Sequence, residues 1–202
     1  MSNAKLLSQQ HFDRQAASYD AASFSLHARR LYPIFLSQLR QLPHKNILDV
    51  GCGTGALLEL ILEHMPDAKC AGLDLSPNMV QRAQDKLGNR ANILLGDSQS
   101  LPFSNESFDV VVCNDSFHHY PAPTAVLHEI YRVLRPGGVF LLGETTAPAP
   151  VRLAINLLLP FSHAGDVRLY SSQELIRLFS PIFHGTECKR VNATSLFGWG
   201  IK

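Results

Sequence analysis

An apolar strand that runs into three alternating glycines and then a helix restricts this chain more than any other feature. The segment is Ile47-Leu48-Asp49-Val50-Gly51-Cys52-Gly53-Thr54-Gly55-Ala56. Glycine reaches positive φ at little cost and lets a ligand approach bare backbone, and a helix N-terminus presents N–H groups that no intrahelical carbonyl takes. Such a loop belongs at the carboxyl edge of a sheet whose strands are joined by helices. A second acid, Asp74, ends the next predicted strand, Ala71-Gly72-Leu73-Asp74. It lies about 20 residues on, where a carboxylate can accept hydrogen bonds from both hydroxyls of a ribose.

The rest of the chain repeats the same alternation. Short, continuously apolar runs at Asn46 to Val50, Lys69 to Asp74, Asn92 to Gly96, Phe108 to Asn114 and Val139 to Gly143 suit strands buried on both faces. Helical periodicity at Gly55 to His64, Pro77 to Leu87 and Thr124 to Leu134 separates them, and Arg135-Pro136-Gly137-Gly138 is expected to stop the last helix and turn the chain. The pattern therefore predicts an α/β fold with a parallel sheet. Before the first strand, Lys5 to Leu42 reads as one or two helices. After the fifth, the proline-flanked, leucine-rich stretch Thr145 to Gly165 reads as a helical insertion over the carboxyl edge. Ser171 and Glu174 have capping-box spacing ahead of a final helix, and two strands follow near Gly185 to Ala193 and Ser195 to Lys202. The expected organisation is one domain: a helical cap at 1–43, a binding core at 44–144, a substrate-side insertion at 145–170 and a terminal helix with its strand pair at 171–202.

Composition narrows the functional classes. Among 202 residues, 46% are hydrophobic and 17% charged, which is enough apolar surface for a core and far from the disordered range. Eighteen Lys and Arg against 17 Asp and Glu leave a formal +1, so no field of one sign exists to attract nucleic acid or an anionic membrane. The apolar runs are too short to span a bilayer, so no stable membrane insertion is expected. The N-terminus lacks the basic-then-apolar order of a secretory leader, so a cytoplasmic location is expected. Cys52, Cys70, Cys113 and Cys188 form no C-x-x-C pair, which predicts reduced thiols and neither a disulfide framework nor a zinc site.

Two cofactor classes fit the glycine loop. Gly51-x-Gly53-x-x-Ala56 satisfies the dinucleotide pattern G-x-G-x-x-G/A. Asp49-Val50-Gly51-Cys52-Gly53-Thr54-Gly55 resembles the D-x-G-x-G-x-G loop of class I methyltransferases, which bind S-adenosyl-L-methionine. Asp49 helps decide, because a carboxylate repels a pyrophosphate but attracts an ammonium and a sulfonium. The resemblance then continues through Leu95-Gly96-Asp97-Ser98, Leu101-Pro102-Phe103, Ser107-Phe108-Asp109-Val110-Val111, Ser116-Phe117-His118-His119 and Leu134-Arg135-Pro136-Gly137-Gly138, with Phe12-Asp13 and Tyr19-Asp20 near the start. It is nearest to the ubiquinone/menaquinone C-methyltransferases and the malonyl-carrier-protein methyltransferase of biotin synthesis.

That resemblance implies a Rossmann-like, doubly wound, seven-stranded sheet, mostly parallel with one antiparallel strand and helices on both faces. It implies that Asp97 and Ser98 meet the adenine amine, Leu75 and Met79 sandwich the adenine, Asn114 faces the methionine part and Tyr19 closes the site. With Asp49, Gly51, Cys52, Gly53, Gly55 and Asp74 these make the expected cofactor site. Methyl transfer from a sulfonium needs alignment above all, and His119 is the candidate base where an acceptor must lose a proton. No metal is expected. A small-molecule acceptor, hydrophobic or acyl-linked, is the leading expectation. The alternatives are a nucleic-acid or protein methyltransferase, a nicotinamide-dependent oxidoreductase and a non-catalytic S-adenosylmethionine-binding protein. Acceptor identity, the atom methylated and the oligomeric state are not written in the sequence.

Overall fold

Parallel strands buried on both faces need a helix on each side, and the chain supplies them. The computed structural model describes residues 3–22, 25–42, 45–162 and 164–202. The expected cap–core boundary at residues 43 and 44 lies outside the described residues, as do residues 23 and 24 of the expected cap and residue 163 of the expected insertion. The described strands are β1 (Asn46–Val50), β2 (Lys69–Asp74), β3 (Ala91–Leu95), β4 (Phe108–Asn114), β5 (Leu134–Thr145), β6 (His184–Arg190) and β7 (Ser195–Ile201). They form one seven-stranded sheet in the order β3-β2-β1-β4-β5-β7-β6. The pairs β1–β2, β1–β4, β2–β3 and β4–β5 are parallel, while β7 runs antiparallel to both β5 and β6. This is the Rossmann-like sheet with one reversed strand.

The described α-helices are α1 (Asn3–Gln15), α2 (Ser25–Arg29), α3 (Tyr32–Leu39), α4 (Ala56–His64), α5 (Pro77–Leu87), α6 (Pro123–Val133), α7 (Ala149–Leu158) and α8 (Ser172–Phe179). Successive strand residues feed opposite cores. Ile47, Val110, Val112 and Leu141 join Phe35 of α3, Ile61 of α4 and Ala83 of α5. Leu48, Val111, Cys113, Phe140 and Leu142 join Ile130 of α6 and Phe179 of α8. A strand with apolar residues at every position therefore satisfies two layers at once.

One local expectation is corrected. Arg135-Pro136-Gly137-Gly138 does not form a connecting turn; α6 passes directly into β5, and these residues lie within that 12-residue strand. Gly137 takes φ +76°, and the pairing register with β4 shifts between Phe108 and Val110. The proline and glycines thus work as an irregularity inside a strand. Asp109 holds this edge, accepting from the Asn46 backbone at 2.8 Å and pairing with Arg135.

The expected capping box is present. Ser171 accepts from the Glu174 backbone N–H at 3.2 Å, and the Glu174 carboxylate accepts from the Ser171 backbone N–H at 2.8 Å. Replacing Ser171 by alanine should destabilise the fold by about 1 kcal/mol. For a domain of this size that lowers Tm by about 2–4 °C, which circular dichroism melting measures. An unchanged Tm would mean that the box contributes nothing to holding α8.

Candidate functional site

The glycine loop follows from contacts that leave no room for side chains. Gly51, Gly53 and Gly55 take φ of +78°, +53° and +76°. A Cβ on Gly51 would stand 2.3 Å from Ser116 Oγ. The Ser116 and Tyr120 hydroxyls are 2.9 Å apart, and both lie within reach of the Val50 carbonyl, at 3.2 and 3.3 Å. Gly55 precedes α4, and a methyl there would come within 2.8 Å of Leu87 on α5. Gly55 thus lets α4 pack on α5 and does not line the cavities beside the loop. Gly53 faces open space and donates its N–H to Asp74 Oδ2 at 2.8 Å.

Two carboxylates meet beside this loop at the carboxyl ends of β1 and β2. Asp74 accepts from Gly53 and, at 2.9 Å, from the Ser76 backbone N–H. Its pKa is still raised, because burial outweighs those donors. Asp49 is 2% exposed, and its Oδ1 has no hydrogen-bond partner among the described residues. Burial, and then the charge of Asp74, push its pKa up to about 8. Asp49, Cys52, Asn114 and Tyr19 line a small cavity of about 40 Å³ with Gly51 and Gly53. Asn114 donates through Nδ2 to the Ala28 carbonyl at 3.1 Å, and its Oδ1 is likewise without a partner.

On the other side of Gly51 opens a cleft of about 70 Å³ lined by Asp74, Leu75, Asp97 and Ser98. Helix α1 forms its opposite wall through Lys5, Ser8, Gln9 and Phe12. Lys5 Nζ lies 2.5 Å from Asp97 Oδ2, so a cation of the cap holds the carboxylate expected to meet adenine. Leu75 lines the cleft; Met79 is 1% exposed and lies beneath it at the start of α5, where its backbone N–H donates to Ser76 Oγ.

A third cavity, of about 300 Å³, adjoins both through Phe12, Tyr19 and His119. His119 packs edge-on to Phe12 with ring centroids 5.0 Å apart. Burial and the neighbouring His118 hold it neutral, well below the ordinary imidazole range. The leucines of the 145–165 stretch do not line this cavity. On α7 and just beyond it, Leu153, Leu157, Leu158 and Phe161 are 62–78% exposed, and only Ala164 and Asp166 from this region reach the cavity.

Reasoning from sequence selected Tyr19 and passed over the carboxylates that dock the cap. Asp13 accepts from Ser76 Oγ at 2.5 Å and from the Asn78 backbone at 3.2 Å. Asp20 accepts from Thr54 Oγ1 at 2.6 Å and pairs with Lys86 at 2.7 Å. The doublets Phe12-Asp13 and Tyr19-Asp20 were the available signal: each sets an aromatic ring beside the cavities and an acid on the core. His27 and Asp115, 3.1 Å apart, carried none.

Comparison with known proteins fits this geometry. Residues 48–142 match the family model of a methyltransferase domain. The chain is 33% identical over 146 residues to a demethylmenaquinone methyltransferase of Symbiobacterium thermophilum, covering 68% of this chain and 58% of that protein. It is 38% identical over 181 residues to a malonyl-[acyl-carrier protein] O-methyltransferase of Herminiimonas arsenicoxydans, covering 88% of this chain and 66% of that protein. The chain thus spans less than two thirds of either relative. The solved structure of YcgJ from Bacillus subtilis superposes with a TM-score of 0.74 at 20% identity, covering 86% of this chain and 98% of that one.

The raised pKa of Asp49 makes a linkage prediction. The folded state keeps a proton that the unfolded state loses above the ordinary carboxylate value of 3.8, so the stability contribution of Asp49 falls as pH rises from about 4 to about 8. Asp49→Asn should therefore raise the Tm of the ligand-free protein at neutral pH. The gain should grow across that window and vanish at its acid end. Melting curves from pH 4 to 9 test this; a gain that did not vary with pH would remove the buried-charge explanation.

Proposed function

We propose that this chain, whose residues 48–142 match the model of a methyltransferase domain, transfers a methyl group from S-adenosyl-L-methionine to a small-molecule acceptor. The observation that carries this reading is the buried Asp49 carboxylate, with an unpartnered Oδ1 and Asp74 as its electrostatic neighbour. A pyrophosphate would bring more negative charge against the buried Asp49 and its half-buried neighbour Asp74. An ammonium and a sulfonium bring the opposite charge, so the donor set fits this cofactor.

When bound, S-adenosyl-L-methionine supplies a methyl on a sulfonium with a neutral leaving group. The chain's part is to hold it. In this reading Gly51, Cys52 and Gly53 bring backbone against the methionine part, Asp49 and Asn114 take its polar end, and Asp74 accepts from the ribose hydroxyls. Leu75 packs on the adenine with Met79 beneath, and Asp97 and Ser98 take the adenine amine once Lys5 is displaced. Gly55 sets the entry of α4, and Tyr19 closes the methyl end. Alignment of nucleophile and methyl then supplies up to ~7–11 kcal/mol of the barrier reduction. His119 presents a neutral imidazole to the adjoining cavity, the position suited to a proton acceptor.

The third cavity is the proposed acceptor pocket, with the cap at 1–43 covering it and the 145–170 region contributing Ala164 and Asp166. Rings of Phe12 and Tyr19 beside Asp115 and Asp166 suit an acceptor with an apolar body and a polar end. The two relatives, which act on demethylmenaquinone and on a malonyl carrier protein by name, support a small, apolar or acyl-linked acceptor. No described helix is long and apolar enough to cross a membrane, and a formal +1 gives a polyanionic partner nothing to follow.

S-adenosylmethionine and S-adenosylhomocysteine should each raise Tm in proportion to the logarithm of their concentration, while NAD and NADP should not. Calorimetric titration checks the same point, and stabilisation by NAD alone would replace this reading with an oxidoreductase. Asp74→Ala removes charge-assisted hydrogen bonds of ~1.5–3 kcal/mol and should weaken S-adenosylhomocysteine about ten- to a hundredfold. Circular dichroism must show that the variant is folded; unchanged affinity in a folded variant would rule out the ribose assignment.

A further inference from the structure

The acceptor-side cavity gathers side chains in an arrangement that a proton acceptor alone does not require. His118 and His119 follow β4, and Asp166 comes from the chain beyond α7. Asp166 Oδ1 lies 3.3 Å from His119 Nδ1 and 3.6 Å from His118 Nε2, and one ligand atom from each of the three falls within 4.8 Å of the others. A tetrahedral ion with bonds of about 2.0–2.1 Å separates its ligand atoms by about 3.3–3.4 Å. The two measured separations are close to edges of that tetrahedron.

The atoms behind the cluster hold it for this use. His118 Nδ1 is 2.6 Å from Glu144 Oε1, on a carboxylate that is 0% exposed. Glu144 is anchored in turn by the Thr145 and His118 backbone N–H groups, at 2.7 and 3.1 Å. A buried carboxylate on one ring nitrogen leaves the other as the ligand atom, which is how metal-binding histidines are oriented. His119 supplies an independent observation: its Nδ1 is buried, has no hydrogen-bond partner among the described residues and lies 3.3 Å from Asp166 Oδ1. A neutral nitrogen in that position is an unfilled donor. Asp115, whose Oδ1 is also unpartnered, belongs to a separate group with His118 and Glu144.

We infer that His118, His119 and Asp166 bind a divalent transition-metal ion, with Glu144 as the outer carboxylate and the remaining coordination position open to the cavity. Two imidazoles and a carboxylate suit zinc, cobalt or ferrous iron. The open position takes an oxygen donor, from water or from the acceptor. The adjacent histidines lack helical spacing, which is why the sequence carried no metal signal. Only the return of the chain at Asp166 completes the set. The competing state is a proton in place of the ion: burial opposes it, yet Glu144, with Asp115 and Asp166, pushes the His118 pKa up to about 9.

This inference needs no cofactor and stands apart from the methyl-transfer reading. The native chain, stripped with a chelator and titrated with Co²⁺ and with Zn²⁺, should take up one equivalent, and Co²⁺ should give the visible absorption of a low-coordinate N/O site. His119→Gln and Asp166→Asn should lose more than the about 10–100-fold that removal of an outer partner costs. His64→Gln, on an exposed histidine outside the cluster, should bind as the native chain does. Asp166 has a 25% exposed side chain and the change to asparagine is isosteric, so this variant keeps the test open if His119→Gln does not fold. Undiminished S-adenosylhomocysteine binding in Asp166→Asn would confirm that the cofactor site is intact. Failure of the folded native chain to bind either ion stoichiometrically overturns the inference, as does binding that Asp166→Asn leaves unchanged. His118 would then be an imidazolium held between Glu144 and Asp166.

Discussion

The hydrogen bond from the Gly53 backbone to Asp74, 2.8 Å long, joins the two parts on which the site depends. It ties the loop that leaves β1 to the carboxylate that ends β2, so the loop's shape and the position of the acid are set together. A side chain at Gly51 would collide with Ser116, and one at Gly55 with Leu87, so neither position can relax without moving an element. The buried Asp49 is thereby held within the electrostatic reach of the half-buried Asp74. The ligand-free protein retains an electrostatic strain that a cationic ligand relieves, and affinity and stability are set against one another at Asp49.

Helix α3 of the cap is sunk in the apolar core through Leu31, Phe35 and Leu39, whereas α1 and the turn at Tyr19–Ala21 are docked largely by polar contacts. Asp13 meets Ser76 and Asn78 at the start of α5, Asp20 meets Thr54 and Lys86 around the glycine loop, and Lys5 meets Asp97 after β3. Each anchor sits on or beside a residue of the cofactor cleft. Filling the cleft and moving α1 are therefore coupled, because a ligand group on Asp97 must displace Lys5. An α1 held by Asp13 and Lys5 can move at less cost than α3, which a continuous apolar interface seals.

Much of the core was legible because its signals are local. A strand buried on both faces is apolar on both through most of its length, and β1, β2 and β4 have the expected limits. The capping box of α8 needs two side chains three residues apart, and it is present as read. The start of β5 was misread because proline and two glycines ordinarily end an element. Here they occupy an irregular strand end whose backbone bonds to Lys202 at the far terminus, a partner that no local window contains. The leucines of α7 were expected to cover the site, yet they face solvent. Apolar composition does not state a direction.

The sequence by itself determined the sheet, the loop and the acids at the ends of β1 and β2, since backbone freedom, strand burial and charge are properties of neighbouring residues. Tertiary structure decided the rest. It set Lys5 against Asp97, brought His27 to Asp115, sank Met79 below the cleft and gathered His118, His119, Glu144 and Asp166 around one point. The reason is distance along the chain. A hydrogen bond or ligand set between residues far apart in sequence leaves no periodicity or spacing to read, and it exists only once the layers have packed.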